Sequence, residues 1–172
     1  QTCISSTIDV DPYAARIVEQ QDFFGNRACF FSVHTPHQML TVTAVSEIEI
    51  NPMGNLLDTA FPIPWDQVRD SLLASSRAED LDARQYLLES PFVAMDEDLH
   101  KYAQPSFTPG RPVLEAVHDL MERIHHDFDY DPHTTTIATP LQEVFKNRKG
   151  VCQDFAHLAI SCLISHGIAA RY

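Results

Sequence analysis

The chain has 172 residues, of which 44% are hydrophobic, so it is long enough to build one ample core or two small domains. Its 24 acidic residues outweigh 12 lysines and arginines, and a net charge of -12 repels phosphate backbones, which argues against a nucleic-acid partner. No apolar run approaches the roughly 18 residues that span a bilayer, so we expect a soluble protein without membrane contact.

The N-terminal residues 1–55 are predicted to form an antiparallel β domain. Strand character recurs over residues 15–23, 29–34 and 40–50, and a hairpin turn is expected at Gly25–Asn26 between the first two. We expect a meander of at least three strands. The third run alternates apolar and polar residues, which favours a sheet with one packed face and one wetter face.

Residues 56–109 change character and are interpreted as a helical, proline-rich bridging segment. Five prolines separate short helical patterns there. Helices are predicted over residues 65–75 and 80–88, and a third short helix over residues 96–103.

Residues 110–172 carry the strongest helical signals. Apolar spacing predicts an amphipathic helix over about 112–127, and Pro140 opens a short helix over 141–145. The helix over about 152–166 is apolar around most of its circumference, so it is expected to be buried. A strand-like tail follows it.

Cys152 begins this buried helix and is the predicted nucleophile. Gly150 permits backbone angles that are closed to other residues, so the chain can turn sharply into the helix. The unpaired amides of the first turn and the helix dipole favour a thiolate, and Arg148 and Lys149 are expected to act in the same direction. A cysteine fixed to a buried helix is held rigidly, as a nucleophile must be.

The other cysteines are Cys3, Cys29 and Cys162, without CxxC pairs or regular spacing. They indicate neither a disulfide framework nor a metal cage, and we expect free thiols in a reducing, cytoplasmic compartment. Cys3 and Cys29 could pair only if their strands are adjacent. Cys162 lies inside the apolar pattern and is interpreted as a core residue.

A nucleophilic cysteine needs a general base, and the spacing supplies none. Five residues along a helix correspond to about 500°, so His157 points some 140° away from Cys152. His166 lies about 21 Å along the same helix. The remaining candidates could reach the thiol only through the tertiary fold: His118, His125, His126 and His133. A metal site using His125, His126 and His133 is disfavoured, because adjacent histidines on a helix diverge.

The run G-V-C-Q-D-F-A-H-L, followed by G-I-A-A-R-Y, resembles the core motif of bacterial transglutaminase-like proteins, a papain-related superfamily described as cysteine proteases. Residues 128–130, the threonines at 134–136 and the pair 139–140 resemble that family's approach to the cysteine. Residues 21–50, with D-F-F-G-N-R and P-H-Q-M-L-T-V-T-A, resemble its N-terminal β domain. The resemblance covers most of the chain.

The resemblance implies an α+β fold, with an N-terminal antiparallel β domain followed by the helical half of a transglutaminase-like (papain-like) core. Cys152 matches the family nucleophile, and its backbone N–H is a candidate oxyanion donor. Gly150 lies at the turn before it, and Gln153, Asp154 and His157 match motif positions interpreted as structural support.

The implied function is cysteine-dependent acyl transfer, with hydrolysis of a peptide or amide bond through a thioacyl intermediate on Cys152. No cofactor or metal is expected. The family's histidine and aspartate follow the motif on later strands, so the chain looks truncated at both ends. The 172 residues alone are expected to be inactive and to self-associate through exposed strand edges. The alternative is a non-catalytic binding or scaffold module with an incomplete papain-like core.

Overall fold

The computed structural model describes residues 2–23, 25–50, 62–136 and 138–172. The chain divides into two units, residues 1–53 and 54–172. Strands make up the first unit and helices dominate the second, so the predicted α+β class is confirmed.

The first unit contains four strands: β1 (Thr2–Asp11), β2 (Arg16–Gln21), β3 (Arg27–Ser32) and β4 (Thr41–Glu49). β2 and β3 form the predicted hairpin, whose turn places Gly25 at φ +84°. The predicted meander is wrong, because β4 pairs antiparallel with β1 and β3 pairs with β2. Every residue of β4 is exposed, so the packed face expected from its alternation does not form among the described residues.

The second unit contains six helices within its described residues. They are α1 (Trp65–Ala74), α2 (Ala78–Arg84), α3 (Glu97–Ala103), α4 (Val113–Asp127), α5 (Leu141–Asn147) and α6 (Cys152–Ser165). A 3-10 turn, Gln85–Leu87, follows α2. Two short parallel strands, β5 (Asp129–Tyr130) and β6 (Lys149–Gly150), join the end of α4 to the start of α6.

Local sequence explains where these helices begin. Pro64, Pro112 and Pro140 precede α1, α4 and α5, with φ between -54° and -63°. A proline ring fixes φ near this value, and its missing N–H is not needed at a helix start. At α3 the Asp96 side chain accepts hydrogen bonds from the N–H groups of Asp98 and Leu99, a side-chain cap.

A large buried core holds the second unit together, and α6 runs through it. Leu158 and Cys162 of α6 are both 0% exposed, as the apolar sequence of this helix predicted. The segment interpreted as a bridge contributes to the same core. The residues of this core are Trp65, Leu99, Ala103, Phe107, Ala116, Leu120, Ile124, Phe128, Leu141, Leu158, Cys162 and Ile168.

The tail after α6 is not a strand, contrary to the prediction from its sequence. Gly167, at φ +77°, reverses the chain. Beyond it, the N–H of Ile168 donates to the carbonyl of Leu163 at 3.0 Å, and the N–H of Ala170 donates to the carbonyl of Tyr86 at 3.4 Å. A strand needs a neighbour that supplies a ladder, and no described strand lies against it. No helix in the described part of the chain is long and apolar enough to cross a membrane.

Candidate active site at the start of α6

Cys152 is the first residue of α6, and its side chain is exposed. A residue in the first turn of a helix has no intrahelical acceptor for its N–H. That amide and the positive end of the helix dipole therefore face the same region as the thiol. This is the arrangement that an attacking sulfur and a developing oxyanion both require.

Asp154 fixes the backbone that leads into this helix. The residue is 8% exposed, and its carboxylate accepts hydrogen bonds from the Thr135 hydroxyl at 2.6 Å and from the Val151 N–H at 2.9 Å. Asp154 is the third residue of α6, where an acidic side chain commonly reaches back to the residue before the helix. It thus ties the loop before Cys152 to the threonine segment.

Gly150 is required for a different reason from the one predicted. Its φ lies outside the left-handed region, so conformational freedom is not what selects glycine here. Instead, a Cβ at this position would lie 2.8 Å from Oδ2 and 3.0 Å from Cβ of Asp154. The close approach of Asp154 leaves no room for a side chain.

Arg148 and Lys149 were predicted to act on the Cys152 thiol. The guanidinium of Arg148 instead lies over the rings of Tyr102, Phe128 and Phe145. Lys149 lies in β6 and is exposed. The positive charge of Arg148 is therefore held in large part by aromatic side chains.

His157 stacks on Phe92, with ring centroids 5.5 Å apart and an angle of 11° between the rings, and it also contacts Tyr172. Burial lowers the pKa of His157, an effect that the charge of Asp154 partly offsets. The imidazole is thus favoured in its neutral form. It makes no described contact with Cys152, as the helical angle predicted.

A cleft of about 210 Å³ lies beside the first two turns of α6. Three of the predicted support residues, Gln153, Asp154 and His157, line it together, whereas Cys152 does not. The rest of the lining comes from the loop before α3 and from the start of α5: Pro91, Phe92, Ala94, Ala138, Thr139, Pro140, Leu141, Gln142 and Val144.

No histidine in the described ranges forms a hydrogen bond with Cys152. His166 lies at the far end of α6, 6% exposed, and its Nδ1 donates to the carbonyl of Cys162 at 3.0 Å. His126 has an exposed side chain, and His118 lies near Glu122 on the surface of α4. Nor do the described residues contain a group of three or more His, Cys, Asp or Glu side chains that could hold a metal ion.

Sequence reasoning missed two parts of the site. Thr135 belongs to the threonine run that was noted, but only the fold shows that its hydroxyl reaches Asp154. Tyr102 and Phe145 carried no signal, because their role depends on a contact with Arg148 across α3 and α5.

Two parts of the sequence match models of known protein families. Residues 100–172 match the model of the Transglutaminase-like superfamily, and residues 1–49 match that of the Bacterial transglutaminase-like N-terminal region. Two regions of the chain are thus similar to the N-terminal and core regions of transglutaminase-like proteins. An uncharacterized protein of Mycobacterium tuberculosis is 38% identical over 174 residues, which cover 100% of this chain and 54% of that protein. An uncharacterized protein of Mycobacterium leprae is 28% identical over 172 residues, 100% of this chain and 58% of its own length.

A solved structure shares the fold of this chain. The crystal structure of a "Putative Cysteine Protease" from Cytophaga hutchinsonii superposes with a TM-score of 0.64 at 19% identity, over 95% of this chain and 53% of that one. The chain therefore spans about half the length of the proteins that it matches. The resemblance inferred from the G-V-C-Q-D-F-A-H-L run is confirmed.

Proposed function

We infer that Cys152 is the nucleophile of a cysteine-dependent acyl-transfer reaction that hydrolyses a peptide or amide bond. The observation that carries this proposal is an exposed cysteine at the first residue of a buried helix, in the region that matches the model of this superfamily. The buried body of α6 fixes the thiol, and the free first-turn amide of Cys152 provides an oxyanion donor.

The reaction proceeds in two steps. The Cys152 thiolate attacks the carbonyl carbon, an S–C bond forms, the C–N bond breaks, and the amine leaves after accepting a proton. Water then attacks the thioester carbon, the C–S bond breaks, and the carboxylic acid and the thiol are released. Transfer of the acyl group to an amine in place of water would give cross-linking from the same intermediate.

The proton carrier in this proposal is a histidine outside the 172 residues. Two facts support this: no described histidine contacts Cys152, and the relatives are nearly twice as long as this chain. Acid–base catalysis contributes about two to four powers of ten in rate. The 172 residues alone are therefore expected to retain a nucleophile with very little turnover.

The test uses the full-length protein that carries this sequence, with peptide amides as substrates. Cys152→Ala is expected to abolish amine release, and rapid quenching followed by intact-mass measurement should show the acyl group on wild-type protein alone. Cys162→Ala is the matched control, because this second thiol on α6 is 0% exposed. Amide hydrolysis that survives Cys152→Ala would overturn the proposal.

One observation favours a second candidate, a binding module. The cleft beside α6 is lined by Gln153 and His157 but not by Cys152, so a ligand there need not meet the thiol. Peptide binding that is lost in His157→Ala and unchanged in Cys152→Ala, without any turnover, would support this alternative.

A further inference from the structure

Arg148 has an unusual backbone conformation for its residue type. It follows α5 directly with φ 55° and ψ 31°, and its N–H donates to the carbonyl of Val144 at 3.0 Å. Among the described residues it is the non-glycine residue with a positive φ. Glycine most often ends a helix in this conformation, because a Cβ is crowded there. The backbone alone therefore does not favour arginine at this position.

The side chain of Arg148 supplies the missing reason. Its guanidinium carbon lies 5.0 Å from the ring centroid of Tyr102, 4.7 Å from that of Phe128 and 4.3 Å from that of Phe145, three rings that we call the ring cluster. The rings of Tyr102 and Phe145 also meet edge to face at 5.5 Å. A cation over aromatic faces is attracted by their quadrupoles, and more strongly where water is excluded.

The ring cluster is the main partner of this charge. No carboxylate in the described ranges forms an ion pair with Arg148, and its Nη1 is buried without a hydrogen-bond partner there. Phe128 extends the cluster to α6, since its ring contacts that of Phe155 in the first turn, with centroids 5.9 Å apart. One guanidinium thus contacts rings from α3, from the end of α4 and from α5.

The backbone between Arg148 and Cys152 is held by hydrogen bonds from residues next to the ring cluster. The carbonyl of Arg148 accepts a hydrogen bond from the N–H of Asp129 at 2.8 Å, and that of Gly150 accepts from Asp131 at 2.9 Å. Both donors lie within three residues after Phe128 along the chain. Cys152 comes two residues after Gly150, so movement of Arg148 would be passed to the thiol through a short paired segment.

We propose that Arg148 is a positioning residue for Cys152. Its guanidinium, held in the ring cluster, fixes residues 148–151 and through them the thiol and first amide of α6. The inference rests on the proposed function in one respect, namely that Cys152 is the group that must be held in place. Arg148 itself touches neither substrate nor reacting atoms in this proposal.

Two substitutions in the full-length protein separate the effect of the backbone conformation at Arg148 from the effect of its side chain. Arg148→Gly and Arg148→Ala both remove the guanidinium, but only glycine relieves the left-handed backbone. We expect amide hydrogen exchange at Asp129 and Asp131 to accelerate at least tenfold in both variants, with the higher Tm in Arg148→Gly. If the position served only to end α5, Arg148→Gly would exchange as slowly as the wild-type protein.

Kinetics on a peptide amide provide the second measurement. We expect both variants to lower kcat at least tenfold with KM within twofold, and Arg148→Lys to recover part of the loss because it keeps the charge. Arg123→Met is the matched control: Arg123 also lies over Tyr102, at 5.0 Å, but belongs to α4 and not to the loop before Cys152. It should leave kcat within twofold of wild type.

The outcomes are distinguishable. Unchanged exchange in Arg148→Gly overturns the proposal, and so does faster exchange combined with a wild-type kcat. If the wild-type protein cleaves no amide, the proposed function fails by itself. In that case iodoacetamide labelling tests the role of Arg148, with the exposed Cys3 as the internal reference. A ratio of the Cys152 labelling rate to the Cys3 labelling rate that is lower in Arg148→Gly than in wild type supports positioning. An unchanged ratio overturns it.

Discussion

The two ends of α6 are built in opposite ways. At the start, Cys152 is exposed and the preceding loop is held by the hydrogen-bonded carboxylate of Asp154. At the end, His166 is buried against Trp65, His100 and Phe107, with ring centroids 5.9, 4.2 and 4.6 Å away. One end is polar and open to solvent, whereas the other is aromatic and closed to water.

The difference shows how a reactive group can be both accessible and fixed. A helix that is exposed at both ends would fray, and one that is buried at both ends could not present a thiol. Here the buried middle and far end anchor α6, with Leu158 and Cys162 fully buried, so the first turn needs only local bracing. Predictions that act on one end and not on the other can therefore test this division.

The largest expected effect concerns the two cysteines of α6. Cys152→Ala should abolish turnover in the full-length protein and leave stability unchanged within about 0.5 kcal/mol, because the site is exposed. Cys162→Ala should keep turnover and cost about 1 kcal/mol, because it leaves a small cavity. Burial raises the pKa of the Cys162 thiol to about 12, so iodoacetamide should not label it in folded protein. Activity assays, urea unfolding and peptide mapping measure these effects.

A glycine pair tests the bracing at the start of α6. Gly150→Ala should cost about 1–3 kcal/mol and lower turnover, because the added Cβ displaces the Asp154 carboxylate. Gly110→Ala is the control: its φ of +75° makes alanine unfavourable by roughly 1–2 kcal/mol, but no atom lies within 4 Å of the new Cβ. We expect the two variants to lose similar amounts of stability. Only Gly150→Ala is expected to lose turnover. Equal turnover in the two variants would contradict the bracing role.

The sequence predicts features that depend on neighbouring residues better than features that depend on residues far apart in the chain. Helix positions follow from apolar period and from prolines at 64, 112 and 140, which are local signals, and the Cys152 motif is local as well. Strand pairing is not local, since β1 and β4 are about 30 residues apart and nothing in either strand specifies the other.

The site was predictable to a similar extent. Cys152 at a helix start follows from its neighbours in sequence, and so does the angle that separates it from His157. The reason for Gly150 required the position of the Asp154 carboxylate, and the role of Arg148 required three rings from distant segments. Contacts of this kind depend on tertiary packing, so spacing along the chain does not reveal them.

A smaller effect is expected from the threonine that holds Asp154. Thr135→Val removes the hydroxyl donor at 2.6 Å while Val151 continues to donate to the same carboxylate, so about 1 kcal/mol of stability should be lost. Turnover should fall as well. Thr134→Val is the matched control, because Thr134 is exposed and bonds to Asp131 on the surface. Urea unfolding that shows equal stability for the two variants would argue against a bracing contact.

The smallest effect is a pH dependence that arises at the closed end of α6. Burial lowers the pKa of His166; the proximity of His100 adds to this, and the hydrogen bond to the Cys162 carbonyl opposes it. Protonation would also place a proton on Nε2, which is buried without a partner among the described residues. The folded state therefore favours neutral His166, whereas in the unfolded chain a histidine titrates near pH 6.5.

The sign of the pH effect follows from these two states. Above about pH 6.5 the stabilisation is fully present, and it is lost as the pH falls from there towards the lower pKa of the folded state, by at most about 1.4 kcal/mol per pH unit for one group. The free energy of unfolding should thus decrease between pH 7 and pH 5. His166→Phe should flatten this slope in part, since the pKa of His157 is lowered in the same direction. His126→Phe, at a side chain that is 90% exposed, should leave the slope unchanged. An equal slope in His166→Phe and wild type would show that the closed end of α6 does not sense pH, and the comparison between the two ends would then rest on packing alone.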